Sequence, residues 1–210
     1  DLPRIFSAEL GDVLNVVAKK VKVTITLPYD VQPVSIIGRE GRIKENKIEL
    51  YMNQLYGGQE KYALVEVNLP KSTPGSRLMV ARADVTYENP FSRKLETSSG
   101  TSYARFSNDP IKVSKSTNLD VVREYQLNLN ALAQEKAIQL SDKGKKKEAV
   151  RELKQSVARL KQAGSRYKDE ELLKQAVELE VQADMIEDQG MSKKSRKLLR
   201  TESYQKKNQQ

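Results

Sequence analysis

The chain has 210 residues, with 37 Lys or Arg against 28 Asp or Glu, a formal net charge of +9, and neither His nor Cys. Enzymes and transition-metal sites built on His or Cys are therefore excluded. The composition favours a non-enzymatic binding or structural protein, without a cofactor, whose partner is acidic. No apolar stretch is long enough to predict a membrane span.

A short helix is predicted first, over residues 4–18, because apolar residues recur there at helical spacing after Ser7, which can cap it. From residue 19 the spacing changes to two. Val21, Val23 and Ile25 alternate with polar residues, a pattern typical of a half-buried strand.

Further strands are predicted from the same alternation, with turn residues such as Gly41, Asn46 and Pro74-Gly75 between them. They cover 34–37, 48–52, 62–69, 78–87, 101–106 and 111–113. Short strands at such intervals, without helices between them, indicate an antiparallel β-sandwich over 19–116.

The chain becomes helical from Thr117, and the first long helix begins at Asn118 or Asp120. Its predicted apolar stripe consists of Val122, Tyr125, Leu129, Leu132 and Leu140. Successive helices are predicted to end at Gly144, Gly164 and Gly190, and a basic helical segment follows over 193–207. The predicted fold is thus α+β and segregated, with the helical domain over 117–210.

A faint repeat runs through the helical region at one constant offset. Its two copies are Ala137, Leu140, Gly144, Ala149, Leu153 and Ala183, Ile186, Gly190, Ser195, Leu199. The spacing is that of a tetratricopeptide-like helical hairpin, although the copies are further apart than the usual ~34 residues. Two antiparallel helix pairs with glycine turns explain the same pattern, and we favour them.

Three segments carry a resemblance to one group of bacterial proteins. IFSAELGDVLNVVA (residues 5–18) resembles the last helix of the von Willebrand factor type A domain in that group. NQLYGGQEKY (53–62) resembles a turn in the β-rich region that follows the domain there, and SRKLLRTESYQ (195–205) is similar to the tails. The resemblance thus covers nearly the whole chain and assigns residues 1–18 to the end of a type A domain.

The resemblance implies an exported parent protein of the bacterial cell envelope, with a metal-dependent adhesion-type domain, a β-sandwich and then helices. The metal-binding Asp-x-Ser-x-Ser motif of that family is absent from this chain, so no metal site is carried over. In the family some strands of the sandwich come from before the type A domain, so a partner segment is expected at a sheet edge. The chain opens on Asp1, which indicates a processed or truncated piece.

The candidate partner-binding residues are a turn and two basic clusters: Tyr56, Gly57, Gly58, Lys145, Lys146, Lys147, Lys193, Lys194, Arg196 and Lys197. The expected partner is a protein, such as an upstream type A segment or an assembly. Binding of nucleic acid or another polyanion by the clusters is the alternative, less favoured because no aromatic residues are interleaved with them. A hydrolase using a Ser–Lys pair or carboxylates is a third hypothesis.

Overall fold

The computed structural model describes residues 16–208, which form two compact units. The β unit comprises the described residues up to 36 together with 40–113, and the helical unit comprises 37–39 and the described residues from 114 onward. Among the helices of residues 16–208, none combines the length and the apolar content that crossing a bilayer requires.

Seven strands are described, and their bounds are β1 Val16–Thr26, β2 Gln32–Ile37, β3 Arg42–Lys44, β4 Lys47–Tyr56, β5 Leu64–Asn68, β6 Arg77–Glu88 and β7 Leu95–Arg105. Five of them form a sheet in the order β3-β4-β1-β6-β7, and all its neighbouring strands are antiparallel. β2 and β5 form a separate two-stranded sheet.

The core of the β unit lies along the middle of the larger sheet. Val21 and Val23 of β1 are buried and oppose Met52 and Leu50 of β4, as the two-residue period predicts. The register of β1 shifts near Lys20, whose φ is 51°, at a β-bulge. The bulge explains why residues 18 and 21, three apart, are both buried.

The smaller sheet packs on this same core. Ile36 of β2 and Val65 and Val67 of β5 contact the cluster that contains Val23 and Leu50. The apolar side chains predicted to alternate along these strands therefore face the core.

Two of the predicted elements are wrong in part. Residues 16–18, assigned to the first helix, lie in strand β1, and the rest of that helix lies outside the described residues.

Residues 111–113, predicted as a strand, lie in helix α1, Pro110–Lys115. The Asp109 carboxylate accepts hydrogen bonds from the main-chain N–H groups of Ile111 and Lys112, at 2.9 and 3.3 Å. This cap and the proline in the first turn begin a helix where the apolar residues alone suggested a strand.

Four longer helices follow, α2 Leu119–Asp142, α3 Lys146–Tyr167, α4 Glu170–Gln189 and α5 Lys193–Asn208. Asn118 caps α2 by accepting from the N–H groups of Asp120 and Val121, which settles the predicted choice of start. Asp169 caps α4 in the same way, and Gly190 ends it with a φ of 82°.

The helices pack as antiparallel neighbours, α3 against α2 and α4, and α5 against α2. Ion pairs fix the directions: Lys161 of α3 meets Glu180 of α4 at 2.7 Å, and Lys207 of α5 meets Glu135 of α2 at 3.0 Å. The core of the unit contains Leu153, Leu160, Leu172, Ile186 and Leu199, each at most 1% exposed.

The predicted apolar stripe of α2 needs correction. Leu129 and Leu132 are only half-buried. The fully buried residues include Leu127, Ala131 and Ala137, together with three amides, Asn128, Asn130 and Gln134. The predicted stripe followed the larger leucines. In the structure, the neighbouring helices approach α2 over its small side chains instead.

Gly164 does not end α3, which continues to Tyr167 and terminates at Lys168 in the left-handed region. A Cβ atom on Gly164 would lie 2.7 Å from Cγ of Leu173 and 3.1 Å from its main-chain nitrogen. The glycine is therefore required by the close approach of α3 and α4.

Candidate functional site

The two basic clusters, about fifty residues apart in the sequence, meet at one end of the helical unit. Arg196 near the start of α5 forms an ion pair with Asp142, the last residue of α2. Antiparallel packing brings the α2–α3 turn and the α4–α5 turn to this end. We call the resulting surface the basic end and define it by Lys143, Lys145, Lys146, Lys147, Lys193, Lys194, Arg196 and Lys197.

Most of these charges have no acidic partner. Lys145 pairs with Glu148 at 3.0 Å and Arg196 pairs with Asp142. The other six cations lie within ion-pair distance of no carboxylate in the part of the chain that the structure describes, and their side chains are exposed. The basic end therefore presents a concentrated positive potential, which favours acidic partners.

The electrostatics of the helix ends oppose this arrangement. Lys146 and Lys147 lie in the first turn of α3, and the first turn of α5 contains no acidic residue. Of this cluster only Lys143 lies at a helix C-terminus, as the C-cap of α2. Lys145 occupies the N-cap position of α3 but makes no capping hydrogen bond. Cations at the positive end of a helix dipole destabilise the helix, so folding does not account for their presence.

The predicted turn belongs to the β unit. Tyr56 ends β4, and Gly57 and Gly58 form an exposed turn in which Gly58 has a φ of 75°. The main-chain N–H of Gln59 donates to the Tyr56 carbonyl at 3.1 Å, and the Tyr56 hydroxyl accepts from Gln54. A Cβ atom on Gly58 would meet no other atom within 4 Å, so the positive φ of the turn alone accounts for this glycine.

The β unit also has a long free edge. β7 is the last strand of the larger sheet, and among the described residues it pairs along β6 only. Nine of its eleven residues are exposed, and its middle, 98–102, carries only small side chains. A long edge strand with small side chains can accept another strand.

A third feature, not predicted from the sequence, is a polar groove of about 240 Å³ between α2, α4 and α5. Asn130 and Gln134 lie on its floor although both are buried. Their signal in the sequence is two amides one helical turn apart among small apolar residues. The apolar stripe predicted for α2 followed its leucines and therefore did not include these two amides.

Comparison with protein-family models gives no match, and comparison with curated proteins gives none either. Among solved structures, the chain is similar to a von Willebrand factor type A protein from Catenulispora acidiphila, with a TM-score of 0.56 and 12% identity over 80% of this chain. This chain therefore has the fold of part of a von Willebrand factor type A protein. The resemblance found in the sequence is thereby confirmed at the level of the fold.

A second similar structure is the ArnB paralog VWA2 from Sulfolobus acidocaldarius, with a TM-score of 0.44 and 16% identity over 90% of this chain. The matches cover 42% and 43% of the two solved chains, so this chain spans less than half of either.

Proposed function

We propose that the chain is a non-enzymatic protein–protein interaction module of an exported von Willebrand factor type A-like protein, where it serves as a scaffold or assembly component at the cell envelope. The observation that carries the proposal is the basic end, where six unpaired cations converge from two distant segments. These cations include lysines at helix N-termini, where they weaken the helices. An acidic protein surface is the partner that this charge fits.

The proposal includes the finer architecture expected from the sequence. The β unit acts as an antiparallel sandwich, which is supported by the core that its two sheets share. The helical unit acts as a pair of helical hairpins of weak tetratricopeptide character, supported by the buried Ala137, Leu153, Ala183 and Leu199 of the two sequence copies. The Tyr56–Gly58 turn is an additional partner contact.

Replacing Lys146, Lys147, Lys193 and Lys194 with glutamate tests the basic end. The helical unit is expected to become more stable, by about 0.3–1 kcal/mol per substitution, because carboxylates suit helix N-termini. Thermal unfolding measures this gain. The quadruple variant should recover at least about tenfold less of the protein that co-purifies with the unmodified parent protein. The reason is that charges at the rim of an interface drive association with an acidic surface.

Lys174→Glu is the matched control, because Lys174 is an exposed lysine in the second turn of α4, at the opposite end of that helix from the basic end. Unchanged recovery with the quadruple variant would contradict the proposal. Tight binding of duplex DNA that falls steeply with salt and vanishes in the quadruple variant would establish the alternative, a nucleic-acid or polyanion binder.

The second proposed contact is strand addition at β7, by a segment of the parent protein outside this chain. We expect the amide hydrogens of residues 98–102 to exchange slowly in the intact parent protein and rapidly in this chain alone, because an added strand supplies hydrogen-bond partners. Mass spectrometry of exchanged peptides measures the difference. Buried residues of α3 are the internal control, and equal exchange at β7 in both samples would rule the contact out.

A further inference from the structure

The polar groove of the helical unit contains hydrogen-bonding groups that the protein leaves unused. Asn130 and Gln134 lie one turn apart on its floor and are only 5% and 2% exposed. The Asn130 Oδ1 accepts from the Ser156 hydroxyl at 2.9 Å, and the Gln134 Nε2 donates to the Glu202 Oε2 at 2.9 Å. These two bonds hold both amides in fixed orientations.

The second polar atom of each amide has no partner. No hydrogen bond joins the Asn130 Nδ2, a donor, or the Gln134 Oε1, an acceptor, to any other group within residues 16–208. Both atoms are open to solvent in the groove rather than enclosed by protein, so water or the polar groups of a ligand can satisfy them. An extended chain presents the N–H and the C=O of one residue on the same side, which matches one donor and one acceptor on the groove floor.

The wall of the groove adds a negative charge. Glu202 of α5 accepts hydrogen bonds from Gln134 and from Gln182, the latter at 3.2 Å, and no described Lys or Arg lies within ion-pair distance of it. Lys206, which also lines the groove, is engaged by Glu124 at 2.6 Å. A carboxylate held by neutral amides favours a cationic group on the ligand.

We propose that this groove binds an extended, basic polypeptide segment of a partner protein, through the main chain at Asn130 and Gln134 and through a lysine or arginine side chain at Glu202. This charge preference is opposite to that of the basic end, so the inference stands apart from the proposed function. Two sites of opposite preference allow one helical unit to hold two partner segments at once.

The test uses the blocked peptide acetyl-Ala-Ala-Lys-Ala-Ala-amide and the full chain labelled with ¹⁵N. Added at millimolar concentration, the peptide is expected to shift the side-chain NH₂ resonances of Asn130 and Gln134, while those of the exposed Gln139 on the same helix stay in place. A peptide N-methylated around the lysine should bind at least about fivefold more weakly, because its main-chain donors are gone.

Gln134→Leu should weaken binding by about fivefold or more, since the acceptor is lost from the floor. Gln139→Leu is the matched control on the exposed face of α2. If the leucine at 134 disturbs folding, Glu202→Gln replaces it, with weaker binding of the lysine peptide and unchanged binding of its all-alanine counterpart expected. Absence of NH₂ shifts, or equal affinity for the N-methylated peptide, would overturn the proposal and leave the groove to water alone.

Discussion

Replacing Gly164 with leucine is expected to destabilise the helical unit by about 3 kcal/mol, toward the upper end of the cost of overpacking a core. The glycine is buried, and a Cβ atom there would come within 2.7–3.1 Å of the side chain and main chain of Leu173. A larger side chain forces α3 and α4 apart, which also loosens the contact of Leu160 with its neighbours in the core. Chemical denaturation followed by circular dichroism measures the loss.

Gln162→Leu is the matched control, because Gln162 is exposed on the same helix two residues away. We expect a change within about 0.5 kcal/mol there, as for most surface substitutions. A Gly164→Leu variant as stable as the control would show that the helices do not approach each other this closely. Gly164→Ala should lie between the two, because its higher helix propensity offsets part of the clash.

Replacing Asp169 with alanine is the second large effect, an expected loss of about 2–4 kcal/mol in the free energy of unfolding. The side chain is 6% exposed, accepts from the Leu172 N–H at 3.1 Å as the N-cap of α4, and accepts from the Arg123 Nε at 2.7 Å. The variant removes the cap of α4, and it also removes the charge that joins this turn to α2. Denaturant unfolding at neutral pH measures the loss.

The same carboxylate makes the stability of the helical unit depend on pH. Burial opposes the charge of Asp169, but the hydrogen bonds from the Leu172 N–H and the Arg123 guanidinium outweigh it and lower its pKa. A lowered pKa contributes stability that is complete above the unfolded value of about 3.9 and is lost as the pH falls through the folded value. The free energy of unfolding should therefore decrease as the pH is lowered below about 4.

Asp169→Asn separates the two roles, because asparagine caps a helix as well as aspartate does but carries no charge. It should be more stable than the alanine variant and should show a shallower decrease in stability in acid. An asparagine variant with the acid dependence of the unmodified chain would assign that dependence to other carboxylates.

Local patterns predicted most of the elements. The alternation of Val21, Val23 and Ile25 placed β1, and the cap Asn118 and the turn glycine Gly190 placed helix ends, because each signal acts within a few residues. The failures came where one residue type serves two purposes. Gly164 has the character of a helix end but permits a close helix contact, and apolar residues at 111–113 favoured a strand until the Asp109 cap was taken into account.

The candidate site was predictable in its residues and unpredictable in its geometry. The clusters around Lys146 and Lys194 are visible in the sequence as runs of charge. The two clusters share one surface only because four helices pack antiparallel, which brings Arg196 next to Asp142. The groove amides Asn130 and Gln134 were missed because burial of a polar side chain is decided by its neighbours.

By itself, the sequence determined the chemistry of this protein: a basic chain without His or Cys, strands first and helices after, and a resemblance to a von Willebrand factor type A protein. Only the tertiary structure decided which charges share a surface, which edge strand is free and which amides line a groove. The physical reason is range. Propensity, capping and alternation act between residues near in sequence, whereas a binding surface is made of groups brought together by packing over much longer separations.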